Sequence, residues 1–156
     1  MYKEIIVKDN KRQMGFTLVE LLCVVLIIGM LASLSQTAYY SYVEKTNNAL
    51  VMVEMQGLQD KIDQHVIVHG ILPPDLSVFG SPMDPWGNPY QYTNFTTTPG
   101  LGPKRKDRSL VPINTDYDLF SMGPDGRSRP PLTASHSKDD IIRANNGAYL
   151  GVASEY

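Results

Sequence analysis

Nineteen consecutive residues, Phe16 to Leu34, carry a single charge, that of Glu20, and this run constrains the chain more than any other feature. A helix needs roughly 17–20 apolar residues to cross the hydrocarbon core of a bilayer, and no other stretch supplies them. The residues before it, MYKEIIVKDNKRQMG, set Lys3, Lys8, Lys11 and Arg12 against Glu4 and Asp9, a local charge of +2. Basic residues before the segment and few close after it predict a cytoplasmic N-terminus with the remainder outside. A cleavable secretory signal fits the basic start. However, its apolar run is normally shorter, and here the small residue, Gly15, precedes the run. A helix buried inside a soluble protein is disfavoured, because 156 residues cannot easily cover such a helix on every side. A membrane anchor explains the pattern except for Glu20. A carboxylate four residues into a membrane segment is costly and marks a function by default. The plainer alternative is a headgroup-level position from which it snorkels to water.

Composition narrows the class. The chain is 42% hydrophobic and 19% charged, which excludes wholesale disorder, and its formal charge of −2 argues against a nucleic-acid binder. One cysteine excludes an intramolecular disulfide; Cys23, inside the apolar run, reads as a small buried hydrophobe. No proline precedes Pro73. From Ala38 onward Tyr39, Tyr42, Val43, Leu50, Val53, Leu58, Ile62 and Val66 recur mostly every three or four residues, the spacing of one helical face. His69-Gly70 followed by Pro73-Pro74 is a stop signal. One helix from about Phe16 to His69 is therefore predicted, with Gly29 and Gly57 tolerated inside it. Tyr39, Tyr40 and Tyr42 suit an interfacial belt. His65 and His69 share a face; with only Asp63 or Glu54 as further candidate ligands, they read as a solvated helix end rather than a metal site.

Residues 70–156 hold all 11 prolines and 9 of the 12 glycines, which favours short strands and turns. Strand candidates are Tyr90 to Thr93, Leu110-Val111 and Tyr117 to Met122, predicting a small antiparallel sheet of about three strands covered by the helix. Thr96 to Asp107 reads as a loop. Its basic cluster, Lys104, Arg105 and Lys106 with Arg108 just beyond, reads as a solvated hairpin tip. Pro85 and Gly87-Asn88 make a turn on which Trp86 is the large anchor.

Gly15-Phe16-Thr17-Leu18-Val19-Glu20-Leu21-Leu22 resembles the processing site of type IV pilins and of the pseudopilins of type II secretion. The resemblance implies cleavage by a prepilin peptidase between Gly15 and Phe16 and N-methylation of Phe16. It also makes Glu20 the assembly carboxylate. Burial in a filament would give Glu20 a need for a partner. The α-amine that cleavage creates on Phe16 of a neighbouring subunit would supply one. Removal of the leader leaves 141 residues with a side-chain charge of −4. Where many family members carry a helix-kinking proline, this chain has Thr37, so a straighter helix is expected.

Asp84-Pro85-Trp86-Gly87-Asn88-Pro89-Tyr90-Gln91-Tyr92 is similar to an element of the major pseudopilin, the G subunit of type II secretion. Tyr117 to Gly126 (YDLFSMGPDG) is similar to that subunit's last strand and following loop. That loop binds one calcium in the family. The positions matching its side-chain ligands are Asp125, Asp139 and Asp140, with carbonyls near Met122 and Arg143 completing the shell. Calcium suits such a mixture of carboxylates and carbonyls. The plain alternative is an Asp-Gly turn followed by a short helix capped near Ser137. The intervening RSRPPLTASHSK departs from the family, whose loop is acidic and glycine-rich.

The expected fold is α+β and pilin-like. It comprises a cleaved leader (1–15), a transmembrane or filament-core helix (16–37), its amphipathic continuation (38–70) and a small β-sheet and loop domain (71–156). The expected protein is a non-enzymatic structural subunit with no catalytic constellation. It is anchored once in the bacterial inner membrane with its C-terminal domain periplasmic, then polymerised into a type II secretion pseudopilus that drives protein export. Expected partners are further copies of itself, the prepilin peptidase, the inner-membrane assembly platform, minor pseudopilins and the membrane, with no nucleic acid. The alternative is a type IV pilin or minor pilin of a surface fibre. A single-pass periplasmic binding or sensor domain, which would keep Met1, is a third reading.

Overall fold

The computed structural model describes residues 15–156. The expected leader, apart from Gly15, lies outside the described residues. The chain divides into two units, residues 1–41 and 42–156. Helix α1 (Leu18–His69) runs through both without interruption, Thr37 and Gly29 included.

In the first unit α1 is apolar all round and bare. Phe16 is 82% exposed and Leu34 73%, and every apolar residue between them faces outward. The segment is long and apolar enough to cross a membrane, and none of its apolar window is buried inside the chain. Cys23 is exposed on the helix surface, so none of the described residues buries it.

In the second unit α1 packs on a four-stranded antiparallel sheet of β1 (Gln91–Asn94), β2 (Tyr117–Ser121), β3 (Ile141–Ala144) and β4 (Tyr149–Val152), in the order β1-β2-β3-β4. β2 pairs with β1 through Gln91–Phe120 to Asn94–Tyr117 and with β3 through Phe120–Ile142 and Ser121–Ile141. Successive strand residues face opposite sides of a sheet, and this alternation divides the core in two. Tyr117, Leu119 and Ile141 meet Val51, Met55, Leu58 and Ile62 of α1. Ile142 and Ala144, on the other face, meet Ile113, Leu132 and Ala153 from the flanking loops. The Tyr90 hydroxyl donates to Glu54, fastening the segment before β1 to the helix.

Several expectations are corrected. The sheet has four strands; Leu110-Val111 is not one of them. Asp107 and Leu110 close a tight turn on each other, and Pro112 has no N–H to donate to a ladder. β3 and β4 come from DDIIRANNGAYLGV, whose continuous apolar stretch is short and whose neighbours include a buried arginine, so it lacks clean alternation. The expected helix near Ser137 is one 3-10 turn, Ser135–Ser137, leading into β3. The helical face is Val51, Met55, Leu58 and Ile62, while Leu50 and Val53 are exposed. Leu58 and Ile62 face inward as expected, but the preceding turns are rotated from the expected face so that Val51 and Met55, not Leu50 and Val53, take the inward positions. Trp86 is only half-buried, and Tyr117 is the largest fully buried side chain.

This rotation separates two conservative changes. Ile62→Ala is expected to destabilise the second unit by about 2–5 kcal/mol through lost burial and a cavity, whereas Val53→Ala stays within about 0.5 kcal/mol. Denaturant unfolding followed by fluorescence of Trp86, the sole tryptophan, measures both.

Candidate functional site

The start of α1 carries the expected processing and assembly residues. Gly15 and Phe16 precede the helix and are exposed. Thr17 caps it. The Thr17 N–H and hydroxyl donate to Glu20 Oε2 at 2.9 and 3.0 Å, and the Glu20 N–H donates back to Thr17 Oγ1 at 3.2 Å. This reciprocal arrangement is a capping box. It answers orphan N–H groups at the helix start and sets a carboxylate against the positive end of the helix dipole. Only Oε2 is engaged; among the described residues Oε1 has no partner. The Thr-x-x-Glu spacing ahead of an apolar run was a readable signal for this cap. It gives Glu20 a local role that the membrane argument alone did not supply.

The Asp84 turn is a second built element. Asp84 Oδ1 accepts from the N–H groups of Trp86 and Asn88, and Oδ2 accepts from the Ser121 hydroxyl at 2.7 Å. Asn88 Nδ2 then donates to Gly123 O at 3.0 Å. A buried aspartate and an asparagine thus clasp the turn to the end of β2 and to the loop beyond it. Sequence reading credited Trp86 with this role. The signal it passed over was Asp at the head of a Pro-x-Gly-Asn turn, where Asp side chains bind backbone N–H groups ahead of them.

The loop after β2 does not gather the three expected carboxylates around one point. Asp125 is surface-exposed; its Oδ1 accepts from the Arg127 N–H and its Oδ2 lies 3.4 Å from His136 Nδ1. Asp139 lies beside it, with Oδ2 3.4 Å from the Asp125 nitrogen. Gly123 at φ 64° brings its backbone so close that a Cβ there would lie 2.5 Å from Asp139 O. Asp140 points elsewhere. By strand alternation it shares the face of Ile142, and its fully buried Oδ2 accepts from Arg105 Nη2 and from the Ser128 hydroxyl. The Asp140 Oδ1 and the Arg105 Nε are buried with no protein partner. The Arg143 carbonyl accepts from Asn114 Nδ2. Among the described residues no group of three His, Cys, Asp or Glu side chains could hold a metal ion. This donor set does not fit the calcium shell that the resemblance implies. Arg105 also overturns the solvated-tip reading of its loop, since it is 2% exposed. His65 and His69 stack at 4.2 Å on the exposed end of α1.

Comparison with known proteins follows the same lines. The prokaryotic N-terminal methylation motif matches residues 10–35. The chain is 30% identical over 142 residues to the type II secretion system core protein G of Escherichia coli (strain K12), covering 76% of this chain and 87% of that protein. The chain belongs to the type II secretion system core protein G family. A family member from Dickeya chrysanthemi is 27% identical over 165 aligned positions, covering 90% of this chain and 93% of its own length. The type IV major pilin protein PilE of Neisseria gonorrhoeae is 33% identical over 71 residues, covering 46% of this chain and 42% of its own. No solved structure matches the chain at a significant level.

Two tests address the folded sheet unit of this core protein G family member. Asp84→Ala strips acceptors from three donors and is expected to cost roughly 2–4 kcal/mol, read by denaturant unfolding. Arg143 holds Asp116 bidentately at 2.7 and 2.8 Å. Burial alone would raise the Asp116 carboxyl, but Arg143 and the Tyr117 N–H outweigh it and hold it below the ordinary value. A depressed carboxyl contributes stability that is present above its unfolded pKa, about 3.9, and lost as pH falls through the folded value. Stability should therefore fall more steeply below about pH 4 in the native chain than in Asp116→Asn.

Proposed function

We propose that this chain is the filament-forming subunit of a type II secretion pseudopilus, a structural protein rather than an enzyme. It is made as a single-pass inner-membrane precursor with its N-terminus cytoplasmic and residues 42–156 periplasmic. A prepilin peptidase cuts between Gly15 and Phe16, and Phe16 is then N-methylated. The inner-membrane assembly platform draws subunits out of the bilayer into a helical homopolymer capped by minor pseudopilins. Its growth pushes secreted substrates outward.

One observation carries this reading: a bare, all-round apolar helix that opens on Gly15-Phe16 and holds a single carboxylate, Glu20, in its first turn. Lipid solvates such a surface before assembly, and the helices of other subunits cover it afterwards. Neither medium supplies water to Glu20, so the carboxylate needs a cation. The α-amine of Phe16 from a neighbour is the nearest one that processing creates. Pairing the two fixes one axial step per subunit. Membership in the core protein G family favours secretion over the surface-fibre alternative, because the pilin match spans less than half of this chain.

Mass spectrometry of the membrane-extracted protein tests the reading. The expected species begins at N-methylated Phe16 when the chain is produced with a prepilin peptidase, and a Gly15→Leu variant stays uncut. A mature species that begins at Met1 in the presence of the peptidase contradicts the proposal and favours a plain membrane-anchored domain.

A further inference from the structure

The loop after β2 has a cation of its own. Arg105 sets its guanidinium carbon over the Phe120 ring, 4.3 Å from the ring centroid, on the sheet face away from α1. Its Nη2 donates to Asp140 Oδ2, and its Nη1 donates to the Ser128 hydroxyl and to Arg129 O at 2.8 Å. Its backbone N–H donates to Asp118 Oδ2 at 2.7 Å. The residue after Arg105 pairs with the same loop through an isolated bridge between Lys106 and Pro131. The Lys106 N–H donates to Pro130 O at 3.0 Å, and the Leu132 N–H to Lys106 O at 2.9 Å. The guanidinium therefore joins residues 128–129 to Asp140 at the start of β3 and packs on Phe120 of β2, while the backbone N–H of the same residue reaches Asp118. Asp140 is the one of the three expected calcium carboxylates that this cation takes, and it ties that residue to the loop after β2.

We propose that the Arg105 guanidinium is the built-in cation of this family member's loop, replacing calcium as the tie between residues 122–140 and the sheet. The chemistry is consistent on both sides. Arginine stays charged when buried and offers several donors in a fixed plane, so it satisfies a carboxylate, a hydroxyl and a carbonyl together. Burial pushes the Asp140 carboxyl up and the Arg105 guanidinium down, and their contact opposes both shifts. A divalent ion on the remaining Asp140 oxygen would sit against a positive charge bonded to the same carboxylate, with little water to screen the repulsion. Asp125 and Asp139 keep their own partners at the surface. The basic, proline-rich sequence between Gly126 and Asp139 fits a loop that closes on a protein cation and not on a metal.

The test is thermal melting of the full chain in detergent, followed by Trp86 fluorescence, with millimolar calcium chloride and with a chelator. Calorimetric titration of calcium chloride accompanies it. The expected result is one midpoint in both solutions and no saturable calcium binding. Arg105→Met, which keeps the volume of the stem and removes the charge, is expected to lower that midpoint by roughly 10 °C or more. A clear calcium-dependent rise in the native chain overturns the proposal, as does an Arg105→Met variant that melts like the native chain. If Arg105→Met does not fold, the calcium comparison on the native chain decides alone.

Discussion

Everything in this protein follows from an apolar helix that its own chain does not cover. Burying a single leucine, valine or isoleucine side chain is worth roughly 1.5–3 kcal/mol, and residues 18–34 present more than ten of them outward. Water is the wrong solvent for that surface. Lipid and the same helix on other copies are the two that suit it, and in the proposed pseudopilus cycle the segment passes from one to the other. Glu20 is the one charge in that surface, and the proposed exchange turns on it. It closes a capping box through Oε2, and among the described residues Oε1 has no partner. The helix start is therefore preorganised to accept one further donor without being rebuilt.

The second unit solves a different problem. Its sheet has an apolar layer on each face, but only one helix. The far face is covered by the long loops 95–116 and 122–140, which lack regular backbone pairing of their own. Buried polar side chains take over. Asp84 holds one turn to β2, Asn114 and Asp118 hold the loop before β2, and Arg105 with Asp140 holds the loop after it. Each is satisfied mainly by backbone groups or an opposite charge, as buried polar groups must be. Such contacts give loops a defined position where hydrophobic contacts alone would let them slide.

The long helix was legible in sequence because a 3.6-residue pattern, a proline-free stretch and a glycine–proline stop all agree over fifty residues. Its inward face was legible at Leu58 and Ile62 but not at Val51, since Leu50 and Val51 are adjacent and both apolar. The sheet was legible only where the strand alternates, as in Tyr117-Asp118-Leu119. β3 carries a buried arginine and packs on both faces, so Ile141 to Ala144 shows no period of two. The processing motif was fully readable because its chemistry is local: a small residue, a large one and a carboxylate at fixed spacing. The fate of Asp140 was not. Its partner is 35 residues away, in a basic run whose composition pointed to solvent. Long-range pairing of that kind leaves no local signature.

The central claim is that Glu20 finds its missing partner on another copy of this chain. The most direct measurement is the structure of the assembled filament, at a resolution that places the first turn of α1. The expected result is the Phe16 α-amine of one subunit within salt-bridge distance of Glu20 on its neighbour, with residues 18–34 covered by surrounding helices. A filament in which Glu20 bonds only to its own Thr17, with no cation from a neighbour near it, would contradict the claim.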